Sequence, residues 1–160
     1  MILNNYWKWL GTVQKHADAN GSNFDYGIKN ISGTSISMYM SASGDYTKNN
    51  TLFAYGLYAM IGSSTTEPDP TDYTIADDID LEVSCSLTYE MNDSLKKTFV
   101  VTGTNTTNAS ITITQVGICK EIKGTNGTPA DIMVAVAVLS TPLTVPAGDG
   151  FTILFDWEES

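Results

Sequence analysis

From Phe99 onward the chain alternates apolar and polar residues with a period of two. Phe99 and Val101, then Ile111 and Ile113, then Val134, Val136 and Val138, then Phe151, Ile153, Phe155 and Trp157 mark four successive segments. Neighbouring side chains of an extended chain point to opposite faces, so this rhythm predicts strands with one buried face. An Asn/Thr stretch separates the first two segments, and Pro146-Ala147-Gly148-Asp149-Gly150 separates the last two. Both are turn chemistry.

The first half carries the same pattern less regularly. Leu81, Val83, Cys85, Leu87 and Tyr89 are predicted to face inward, and Glu82, Ser84, Ser86, Thr88 and Glu90 outward. Asn92-Asp93-Ser94 then turns the chain. Ile36, Met38 and Met40 form one face of an earlier strand, closed by Ser43-Gly44-Asp45. Residues 51–62 are almost continuously apolar, which suits a strand buried on both faces and leaves helix open. Pro and Asp make 63–74 a loop. About eight strands at turn intervals predict an all-β fold, an antiparallel β-sandwich of the jelly-roll or Ig-like kind. Its expected core is Leu81, Val83, Leu87, Val101, Ile111, Ile113, Val134, Val136, Phe151, Ile153 and Phe155.

Residues 1–20 read differently, as a short aromatic arm ahead of a single sandwich domain at 21–160. At helical spacing Ile2, Tyr6 and Trp9 share one face, and Leu3, Trp7 and Leu10 share another. A segment apolar on both faces must be covered on both. It packs on the chain's own core, as helix or strand, or it docks onto a neighbouring subunit. Tyr6, Trp7, Trp9 and Leu10 are the candidate interface.

Composition narrows the function classes. The net charge is -10 and the chain has no Arg. Phosphate contacts need basic patches, so neither nucleic acid nor an anionic membrane is an expected partner. No run of about 18 apolar residues predicts a transmembrane helix. Residues 1–10 lack the basic start and unbroken apolar run of a secretory leader, so release by ordinary secretion is not expected. Charged residues are only 16%, while 21 Thr, 14 Ser and 11 Asn supply the polar positions of strands and turns. Cys85 and Cys119 are expected to be free thiols within strands, with a disulfide as the alternative.

Candidate chemistry is sparse. His16, the single histidine, stands in a polar stretch and is expected to be exposed or capping. Asp69, Asp72, Asp77, Asp78 and Asp80 form the best cation candidate, with Asp77, Asp78 and Asp80 closest together. Calcium takes several oxygen ligands from a flexible loop, but the EF-hand pattern with its turn glycine is absent, and a solvated acidic loop is the expectation. No phosphate-binding glycine loop or zinc spacing occurs, so no cofactor and no metal are expected. Tyr39, Tyr46, Tyr55, Tyr58 and Tyr73 could line a sugar platform, but packing on strands is expected. Triplets such as Asn105-Thr106-Thr107 match the glycosylation acceptor and are expected to be bare.

The order of the turns carries a resemblance. Residues 59–80 (AMIGSSTTEPDPTDYTIADDID), the strand ITQVGICKEI and the closing run VAVAVLSTPLTVPAGDGFTILFDWE together resemble small β-sandwich structural proteins of tailed bacteriophages. The likeness spans about residues 55–158 and lies in turn chemistry. It implies a non-enzymatic virion component of the tail, neck or capsid surface, made in the host cytoplasm. It also implies other virion proteins as partners and a homo-oligomer. A carbohydrate-binding or adhesin-type sandwich module is the alternative, and an enzyme would need a pocket holding carboxylates of raised pKa.

Overall fold

The structure is a computed structural model that describes residues 1–16, 23–39, 56–89, 96–123 and 128–158. One helix, α1 (Asn4–His16), precedes eight strands. These are β1 (Asn23–Lys29), β2 (Ser35–Tyr39), β3 (Leu57–Gly62), β4 (Val83–Tyr89), β5 (Lys96–Thr104), β6 (Ile111–Lys123), β7 (Pro129–Val145) and β8 (Gly150–Glu158). They form a β1-β2 hairpin and two three-stranded sheets, ordered β3-β6-β7 and β4-β5-β8. The fold is all-β, antiparallel and sandwich-like, as the alternation predicts. Met40, Tyr46, Tyr55 and the turns expected at 43–45 and 92–94 lie outside the described residues.

The chain divides into two compact units. The first comprises 1–57, 68–74 and 119–136, and the second 58–67, 75–118 and 137–160. The long strands β6 and β7 contribute to both.

In the first unit the N-terminal residues add to β7. Ile2 bridges Ala135 in antiparallel fashion, Leu3 N–H donates to the Val134 carbonyl at 2.9 Å, and Val136 N–H donates to the Met1 carbonyl at 3.0 Å. Asn5 then ties α1 to two strands. Its Nδ2 donates to the carbonyls of Lys29 (2.8 Å) and Met133 (3.3 Å), and its Oδ1 accepts from Lys29 N–H at 3.1 Å. The β1-β2 hairpin closes through Asn30, whose Oδ1 accepts from Thr34 N–H at 2.8 Å, while Gly33 supplies the left-handed turn residue at φ 82°.

In the second unit β5 is the central strand of its sheet, paired from Lys97 to Gly103 with β4 and from Lys96 to Thr104 with β8. Its inward residues Phe99 and Val101 are fully buried. They lie in register with Phe155 and Ile153 of β8, and Phe99 meets Phe155 and Trp157 edge-on or tilted at 6.0 Å between centroids. Val101, Ile113, Val134, Val136, Phe151, Ile153 and Phe155 are buried as expected. Leu81, Val83, Leu87 and Ile111 are only half-buried, because they stand on or before the outer strand β4 or at the first residue of β6. Residues 113–120 of β6 are buried without alternation, so this central strand is covered on both faces. Pro142 is tolerated within β7 because β7 is an edge strand of its sheet.

Candidate functional site

The arm divides along its helix. Tyr6 and Trp9, three residues apart on one face, are 4% and 3% exposed and stack at 6.3 Å between centroids. With Leu3 and Asn5 they are buried within their own chain. Trp7 points the other way and is 53% exposed, and Leu10 is half-buried. Of the four expected interface residues, only Trp7 and Leu10 therefore present surface. Deleting residues 1–10 would remove part of the first unit's core.

The acidic residues are occupied with turns. Asp69 Oδ1 accepts from Thr71 N–H at 2.8 Å and Thr71 Oγ1 at 2.6 Å, which holds its carboxyl below the ordinary carboxylate range. Asp72 Oδ2 accepts from Asp69 N–H at 2.8 Å. Asp77 adopts φ 50°, and its carbonyl accepts from Ser63 N–H at 3.0 Å. Asp78 bridges Gly62, and burial, followed by the neighbouring charge of Asp80, raises its carboxyl. Among the described residues no three His, Cys, Asp or Glu side chains are grouped to hold a metal ion. His16 is the last residue of α1.

Neither cysteine is in a disulfide; Cys85 is half-buried and Cys119 buried. Burial pushes the Cys85 thiol up to about 11 from its ordinary 9.0. Since the thiolate is the reactive form, a shift of two units implies roughly 100-fold less of it at neutral pH. The remaining thiolate is the more nucleophilic for its higher pKa, so native protein should react with a disulfide reagent at pH 8 at least about tenfold more slowly than protein unfolded in guanidinium. Equal rates would show that Cys85 is accessible and ordinary.

The tyrosines form no common platform among the described residues. Tyr58 is half-buried on β3, and Tyr73 is half-buried beneath the Lys29 ammonium, 5.1 Å from its ring centroid, and against Gly33. Tyr46 and Tyr55 lie outside the described residues, as does the side chain of Tyr39.

Two features stand out that the hydrophobic pattern did not flag. The first is Asn105, fully buried where β5 gives way to the turn before β6. Its Nδ2 donates to the carbonyls of Ala109 (2.8 Å), Val145 (3.0 Å) and Pro146 (3.1 Å). Its Oδ1 accepts from Thr107 N–H at 3.1 Å and Thr107 Oγ1 at 2.7 Å. Its backbone exchanges bonds with Asp149 and Gly148 in the β7–β8 turn. One side chain thus fastens two turns, and its amide is closed to glycosylation in the folded chain. A similar device uses Thr114 and Gln115 of β6, which donate to Gly62, Ser64 and Thr66 carbonyls and hold the loop after β3.

The second is the outward face of the β4-β5-β8 sheet. Leu154 is 66% exposed, the most exposed large apolar side chain among the described residues. It stands in register with half-buried Val100, which in turn pairs with Ser86. Its parity is opposite to that of Phe151, Ile153, Phe155 and Trp157, which sets it on the wet face.

No family model, curated protein or solved structure matches this chain.

Proposed function

We propose that this chain is a non-enzymatic structural subunit of a bacteriophage virion, on the tail, neck or capsid surface, acting through protein–protein assembly. The observation that carries this reading is how its buried polar side chains are spent. Of the six buried polar or charged residues among the described ones, Asn5, Asn105, Thr114 and Gln115 hydrogen-bond backbone groups and fasten loops or strands; Ser64 and Lys120 are the other two. These four side chains, engaged in this way, rigidify a scaffold. The acidic net charge and the resemblance of the turn pattern to small phage sandwiches support it. Partners are then other virion proteins and further copies of the chain, met after synthesis in the host cytoplasm.

Immunogold labelling of density-gradient-purified particles tests the reading. Labelling at a defined place on the particle is expected. Particles that carry no label while the soluble lysate does would overturn it.

A further inference from the structure

We infer that Asn108 is an acceptor site for asparagine-linked sugar, which the folded chain offers to a soluble transferase using a nucleotide-activated hexose. Several Asn-X-Ser/Thr triplets occur in the chain. Four of them have asparagines outside the described residues, at Asn20, Asn49, Asn92 and Asn126. Three others begin at Asn30, Asn105 and Asn108, and their surroundings set them apart.

Asn30 is half-buried and closes the β1-β2 hairpin. Its Oδ1 accepts from Ser32 Oγ and from Thr34 N–H, each at 2.8 Å, so the amide and the hydroxyl of this triplet are bonded to each other. Asn105 is fully buried, and its Nδ2, the atom that would take the sugar, donates to three carbonyls. A transferase reaches that nitrogen only by opening two turns.

Asn108 stands three residues on and is exposed, as are all residues from Thr106 to Ser110. Neither its amide nor the Ser110 hydroxyl hydrogen-bonds a described residue. The Ala109 carbonyl between them accepts from Asn105 Nδ2 at 2.8 Å and from Thr107 Oγ1 at 2.9 Å. The buried Asn105 therefore holds the loop, while Asn108 keeps its place on the outside. One turn thus carries two triplets, of which folding closes the first and leaves the second open.

Transfer joins Asn108 Nδ2 to the anomeric carbon of the hexose. The new C–N bond forms as the bond from that carbon to the diphosphate oxygen breaks. The nucleoside diphosphate leaves with the electron pair, and the amide proton passes to a base of the transferase. Ser110 supplies the hydroxyl that completes the acceptor triplet. A soluble enzyme meets the chain without secretory passage, so the reaction calls on no leader. The inference does not rest on the virion reading, which is decided by particle labelling.

The test incubates the intact folded chain with a soluble asparagine glucosyltransferase and nucleotide-activated glucose, and maps hexose by peptide mass spectrometry. Asn108 should carry hexose, and Asn30 and Asn105 should stay bare. Asn108→Gln and Ser110→Ala should each abolish hexose on the 105–110 turn, and Ser110→Thr should keep it. All three variants should melt as the wild type does, since both side chains are exposed. A synthetic peptide of residues 102–112, in which no fold protects Asn105, should take hexose at Asn105 as well. A folded chain bare at Asn108 overturns the inference, whether or not the peptide is modified. So does hexose on Asn105 of the folded chain.

Discussion

Replacing Asn105 with Ala should lower stability by about 3 kcal/mol or more, because a buried polar group left without its partner costs about 1–3 kcal/mol and this side chain serves several. The carbonyls of Ala109, Val145 and Pro146 lose a donor, and Thr107 loses an acceptor for both its N–H and its hydroxyl. Water reaches the exposed members of this set, so the full sum is not expected. Asn105→Asp keeps the shape but turns an oxygen toward three carbonyls, and should cost at least as much. Urea unfolding at unchanged slope gives the measurement. A loss below about 1 kcal/mol would show that the two turns hold without this link.

Trp9→Ala should cost about 3–5 kcal/mol, the usual range for truncating a buried large aromatic. Trp9 is 3% exposed and stacks on Tyr6, itself 4% exposed. Trp7→Ala, two residues away, should cost only about 0.5–1.5 kcal/mol, because Trp7 is 53% exposed and its edge-on contact with Tyr6 at 4.9 Å is what it loses. The contrast locates the dry face of α1. Similar losses at both positions would show that the helix is covered on both sides. Unchanged stability at both would place the arm outside the chain's own core.

The β-rich character was legible because period two survives wherever one face of a strand is wet. In β4 and β8 every expected inward residue with a described side chain is more buried than its outward neighbours. Where a strand is covered on both faces, the rhythm vanishes. Lys120 sits beside Cys119 in β6, in a segment that alternation would read as half-wet, yet both are fully buried. The arm was ambiguous for a related reason. Its apolar residues lie on both helical faces, and spacing alone does not say which face the fold leaves open. Asn105 was hidden because an Asn in an Asn/Thr run reads as exposed turn. Its burial follows from the β7–β8 turn, 40 residues away in sequence, folding over it. The division into two units left no trace at a linker, since β6 and β7 run through both.

Function was less legible than fold, since turn patterns describe architecture and carry no reaction. The measurement that bears most directly on the virion assignment is the chain's copy number in purified particles, by quantitative mass spectrometry against the major capsid protein. A fixed ratio, reproducible between preparations and retained through repeated gradient purification, is the expected result. A chain absent from the particles, or present at a ratio that falls with each purification step, would contradict a structural role.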